Sequence, residues 1–98
     1  MNLPLCFEPE VREDIDEAYE WYEGQRIGLG EEFLAEVDVT LDRIQQNPEL
    51  SAPIYQSVRR ARFKRFAYAL YYRVEPRRIV VIAVHHGKRD PKHWQSRI

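Results

Sequence analysis

Near Pro53 the chain changes its period, and that switch limits what it can fold into more than any other feature. Before it, apolar residues recur three and four apart; after it, they alternate. A chain written first for helices and then for strands packs its helices on one face of a sheet, which predicts an α+β fold. Leu3 to Phe7 forms an apolar opening segment that predicts a short first strand.

Glu8-Pro9-Glu10 reads as a helix start, because proline is tolerated in the first turn and acids there suit the helix dipole. Val11, Ile15, Ala18, Tyr19 and Tyr22 make the apolar face, and Glu13, Asp14, Asp16, Glu17 and Glu20 fill much of the other. Gly24 and Gly28-Leu29-Gly30 interrupt the pattern. Phe33, Val37, Leu41 and Ile44 then define a second helix, which Asn47-Pro48 ends, since the residue before proline is pushed out of the helical region. The two helices make an α-hairpin. Next, Val58, Arg60, Arg62 and Lys64 alternate with Arg59, Ala61, Phe63 and Arg65. Phe66 to Val74 alternates again, and Glu75-Pro76-Arg77 turns the chain. Arg78 to His86 is apolar on both faces, as a strand inside a sheet must be. The expected fold is an N-terminal strand, a helical hairpin and a three- to four-stranded, mainly antiparallel sheet, all within one domain, 1–98.

The net charge of −1 conceals a division along the chain. Residues 1–58 hold 3 basic and 14 acidic side chains, whereas residues 59–98 hold 12 basic and 2 acidic. Such a split predicts a basic surface with an acidic or polyanionic partner, or two halves that neutralise each other inside one fold. The single cysteine, Cys6, cannot close an internal disulfide, so a reducing cytoplasm is the expected location. No apolar run is long enough to cross a membrane, and no signal peptide is recognised.

The candidate chemistry lies in the basic half. Arg59, Arg60, Arg62, Lys64 and Arg65 sit on one predicted strand, whose alternation would align Arg60, Arg62 and Lys64 into a cationic track for phosphates or carboxylates. The competing reading is a charged edge strand that resists aggregation. His85 and His86 point to opposite faces of a strand and cannot readily share a metal, and no zinc pattern completes them, so no metal or cofactor is expected. A histidine beside Arg89 or Arg65 could work on a phosphodiester, taking a 2′-hydroxyl proton while the arginine stabilises the charge on phosphorus. The preferred reading instead puts one histidine in the core with a satisfied ring nitrogen and makes Arg89-Asp90 a local pair. Trp94 is read as a lid on the core. Tyr68 and Tyr72 belong to the core face, while Tyr71 and Arg73 point the other way and are expected at the surface, available for binding.

The order strand, helical hairpin, sheet, with Arg59-Arg60, the run from Arg65-Phe66-Ala67-Tyr68 through Ala69-Leu70-Tyr71-Tyr72, and His85-His86-Gly87-Lys88-Arg89-Asp90-Pro91, resembles the RelE/ParE superfamily of toxins. Ala18 to Tyr22 and Gly28 to Phe33 look like that family's hairpin. The resemblance implies the toxin half of a bacterial type II toxin–antitoxin module, of the kind that stabilises plasmids and arrests growth. It implies a cognate antitoxin wrapped over sheet and hairpin, with operator DNA reached only through the antitoxin. RelE-like members cleave mRNA on the ribosome. On that reading Arg60, Arg62 and Lys64 would hold phosphate, Arg89 or Arg65 would stabilise the transition state, and His85 or His86 would act as acid or base. ParE-like members are not nucleases and poison DNA gyrase. The chain is not cationic overall, no tyrosine follows Arg89, and the long acidic hairpin and the histidine–glycine–basic ending look more like ParE. The ParE-like reading is therefore preferred, with the RelE-like nuclease and a non-toxic binding protein of the same fold as alternatives.

Overall fold

A computed structural model describes residues 2–98. Its elements are β1 (Leu5–Phe7), α1 (Glu10–Gln25), α2 (Leu29–Gln46), β2 (Pro53–Tyr55), β3 (Val58–Arg62), β4 (Tyr68–Glu75), β5 (Arg78–His86) and a single-turn α3 (Lys92–Gln95). Helix α1 starts after Pro9 with Glu10 and Glu13 in its first turn, as the dipole favours. The turn into α2 is built by Gly28, whose φ of 91° lies in the left-handed region. Glu23 then caps α2 by accepting the amides of Gly28 and Gly30, each at 2.9 Å. At Gly30 a Cβ would stand 2.7 Å from the Tyr19 ring, so any larger residue there would have to displace that ring and the Glu23 carboxylate.

The sheet has five strands in the order β1-β5-β4-β3-β2. β1 runs parallel to β5, and every other pairing is antiparallel. The α+β architecture is as expected, with slightly more strand: Pro53–Tyr55, read only as the place where the period changes, pairs with β3 as an outer strand. β5 lies between β1 and β4 and is buried on both faces, as its composition requires. Tyr71 pairs with Ala83 but Tyr72 with Val81, so β5 carries an extra residue at Ile82. Both Ile82 and Ala83 consequently turn toward the face opposite the helices.

Two apolar layers result. The larger lies between hairpin and sheet and includes Phe33, Leu70, Tyr72 and Val81, with Phe33 ringed by Tyr22, Phe63, Phe66 and Tyr68. The smaller covers the far face, where Val58, Ala69, Ile82 and Ala83 lie with Tyr71 and Trp94. Trp94 stacks on Tyr71 with ring centroids 4.7 Å apart and meets Tyr55 edge-on at 5.7 Å. The lid expected of Trp94 is present, only 3% exposed. The expected surface position of Tyr71 is overturned by the same contact, because the tryptophan covers it.

The predicted strand through Arg65 also ends early. β3 stops at Arg62, and residues 63–67 form a loop whose Phe63 amide donates to the Tyr68 carbonyl. Phe63 and Phe66 both turn into the helix-side core, which breaks the alternation and carries Lys64 and Arg65 out of line with Arg60 and Arg62. The loop is fastened to α2 by Arg65, whose guanidinium pairs with Glu32 and whose amide donates to the buried Glu36.

Candidate functional site: a basic cleft beside an aromatic ledge

Arg60 and Arg62 leave β3 on the face that also carries Val58, away from the helices. With Tyr68, Tyr71, His86 and Lys88 they line a shallow cleft of about 340 Å³. Among the described residues neither arginine forms an ion pair, so both present free guanidinium groups. Aromatic edges continue from the cleft onto the hairpin: His86 meets Tyr68 at 5.3 Å, Tyr68 meets Tyr22 at 5.8 Å, and Tyr22 meets Trp21 at 5.1 Å. Burial raises the Tyr68 phenol above its usual range, the neighbouring Tyr22 adds to that, and Arg89 opposes it.

Three of the other basic candidates have structural occupations. Arg59 points to the helix side and donates to the carbonyls of Ser51 and Glu49, holding the 47–52 loop. Arg65 is taken by Glu32, and Arg73 by Glu75 at 2.9 Å. Lys64 and Arg89 are exposed outside the cleft wall. The ten candidates therefore do not form one cluster. Arg60, Arg62, Tyr71 and His86 are brought together, and Lys88 joins them.

The two histidines part, as adjacent strand residues must. His85 is 1% exposed, and the expected satisfied ring nitrogen is absent, since neither nitrogen makes a hydrogen bond. Its Nε2 lies 3.4 Å from Asp14 Oδ2. His86 is half-buried at the cleft, where its Nδ1 accepts the Lys88 amide at 3.0 Å. With Nδ1 accepting, the neutral ring carries its proton on Nε2, which can donate to a ligand. The expected Arg89–Asp90 pair is not formed either. Asp90 accepts the Lys92 amide at 3.0 Å and starts α3.

Asp14, assigned to the solvent face of α1 by its charge, is 6% exposed. It accepts Arg97 through both oxygens, at 2.7 and 3.0 Å, and the Val84 amide at 3.1 Å. Arg97 also donates to the Ile82 carbonyl at 3.1 Å. These backbone groups lie beyond the last β1–β5 pair, Phe7 with Val81, where no strand remains to serve them. Burial pushes the Asp14 carboxyl up, but the His85 ring, the Arg97 guanidinium and the Val84 amide more than reverse it, to about 2. The available signal was position: Val11, Asp14 and Ala18 fall on one helical stripe, and all three are buried.

A shallow basic cleft with aromatic walls suits a carboxylate- or phosphate-bearing segment laid across it. Among the described residues no three metal-ligating side chains gather, and no helix is long and apolar enough to cross a membrane.

The family model described as the ParE toxin of the type II toxin–antitoxin system parDE matches residues 5–91. Toxin ParE2 of Mycobacterium tuberculosis, in strains CDC 1551 and H37Rv, is 28% identical over 89 residues, covering 90% of this chain and 85% of the relative. A solved chain titled "Chromosomal ParDE TA system from P. aeruginosa" superposes with a TM-score of 0.70 at 18% identity, covering 86% of this chain and 95% of that one.

Proposed function

Because the chain belongs to the ParE toxin family of type II toxin–antitoxin systems, we propose that it acts in the cytoplasm as one toxin domain that inhibits DNA gyrase until a cognate antitoxin neutralises it. The match of the family model across residues 5–91 carries this reading. What favours gyrase over a ribosomal nuclease is the state of the histidines. His85 is enclosed away from any substrate, and the Nδ1 of His86 is occupied in accepting the Lys88 backbone amide. The cleft, by contrast, fits a polyanionic segment: Arg60, Arg62 and Lys88 receive antitoxin carboxylates, and the aromatic edges of Tyr68 and His86 receive its apolar side chains.

The deciding experiment runs purified protein in parallel against gyrase supercoiling and against mRNA on programmed ribosomes. Lost supercoiling with intact mRNA, reversed by antitoxin, is the expected result. Cleaved mRNA with normal supercoiling replaces this reading with the nuclease one. Neither effect, together with induction that does not arrest growth, makes the chain a non-toxic binding protein on the same fold.

A further inference from the structure

The sheet also ends in an outer strand on the side away from β3, and the chemistry there differs from that of the basic cleft. β1 is the outer strand there. The carbonyl of Pro4 and the amide of Glu8 both face β5. Backbone groups alternate sides along a strand, so Cys6 faces inward as well, while Leu5 and Phe7 direct their N–H and C=O groups outward. Phe7 is 50% exposed, large for a phenylalanine. It borders an open cleft of about 440 Å³ whose floor is Val11 and Ile15 and whose rim is Glu8, Arg12 and Asp16. Arg12 and Asp16 stand one turn apart on α1, yet among the described residues neither forms an ion pair.

We propose that this edge is a self-association surface, on which two copies of the chain pair their β1 strands antiparallel about a two-fold axis at Cys6. The strand parity suits a symmetric pair. Leu5 of one copy and Phe7 of the other exchange both backbone hydrogen bonds, and the same exchange repeats across the axis. Pro4 then occupies an inward position where its missing N–H is not needed. Leu5 and Phe7 share the helix-side face, so the two apolar clefts merge into one seam. The rim carries both signs, which suits a second copy better than a uniformly charged partner. Antiparallel α1 helices across the axis bring Arg12 of each copy toward Asp16 and Glu8 of the other, as an isologous interface requires. Cys6 meets its symmetry mate in a non-hydrogen-bonded pair, with Cα atoms about 4.5 Å apart, inside the roughly 4.4–6.8 Å range that a disulfide spans. The single cysteine is thus a built-in reporter of the register.

Sedimentation of the full chain under reducing conditions tests association, and copper–phenanthroline oxidation tests register, the added oxidant taking two electrons as two thiols become one disulfide. The expected results are a concentration-dependent dimer, a covalent dimer on oxidation that Cys6→Ser abolishes, and a shift to monomer in Phe7→Glu with the helical and sheet circular dichroism retained. Arg12→Asp and Asp16→Arg should each weaken the dimer at least tenfold, and the double exchange should restore it. A monomer up to millimolar concentration overturns the proposal. So does a dimer that survives Phe7→Glu and gives no Cys6 crosslink, since it uses another surface. A β1 edge protected from hydrogen exchange only when antitoxin is bound also overturns it, by naming a different occupant. None of these readouts depends on the cellular target.

Discussion

Arg97 grips Asp14 across 83 residues of chain, with two hydrogen bonds from one guanidinium to both carboxylate oxygens. The pair joins the first helix to the last turn and supplies the backbone partners that β1 is too short to give Val84 and Ile82. Removing one member of a buried pair leaves the other uncompensated, so Asp14→Ala is expected to cost about 3–5 kcal/mol in urea unfolding. The carboxyl lies at about 2 in the folded protein against 3.8 ordinarily. A depressed carboxyl contributes stability that is complete above the unfolded value and lost as pH falls through the folded one. Stability should therefore decline from about pH 5 toward pH 2, by about 2 kcal/mol from this group. Asp14→Asn should flatten that decline, and an unchanged slope would place the proton elsewhere.

The two tryptophans occupy opposite environments, Trp21 at 59% exposure and Trp94 at 3%. In Trp21→Phe the remaining fluorescence should be blue-shifted and move red on unfolding. In Trp94→Phe it should start near the water-exposed limit. Trp94→Ala uncovers the Tyr71 face and is expected to destabilise by about 3–5 kcal/mol.

Arg60 and Arg62 are free at the cleft, whereas Arg59 holds a loop. Arg60→Glu with Arg62→Glu should lower antitoxin affinity by roughly a hundredfold at low salt and less at high salt, with the melting temperature preserved. Arg59→Ala should do the reverse, lowering the melting temperature while changing affinity little. Calorimetric titration with a synthetic antitoxin segment, paired with thermal unfolding, separates the two outcomes.

His86 contributes an acceptor through Nδ1 and a ring edge against Tyr68. His86→Asn keeps an acceptor and removes acid–base capacity, so growth arrest on induction should be unchanged. A loss of toxicity of about a hundredfold or more would instead match the removal of a general acid or base.

The period switch made the hairpin and the two long strands legible, because long amphipathic patterns reflect burial directly. Three features escaped it for physical reasons. Pro53–Tyr55 is too short to show alternation and is a strand only because β3 lies beside it. Lys64 and Arg65 continue a period of two, but Phe63 and Phe66 gain more by filling the helix-side core than the ladder gains by continuing. Charge alone puts Asp14 in water and alternation alone puts Tyr71 on an open face, but residues about eighty and about twenty positions later, Arg97 and Trp94, cover them. Arg60 and Arg62 could be read as a pair, but their companions His86 and Lys88 come from the far end of β5 and are joined to them only by the register of the sheet.

The placement of β5 has a consequence for synthesis. The strand made last is inserted between the strand made first and β4. A nascent chain ending before Arg78 has a helical hairpin, a free opening strand and an unfinished meander, with nothing to connect them. Pairing Leu5 with Ile79 closes a long loop, a slow step that must wait for β5 to emerge. The sheet is thus joined only once β5 has been made, and a product truncated before Arg78 lacks the strand that brings His86 to the basic cleft.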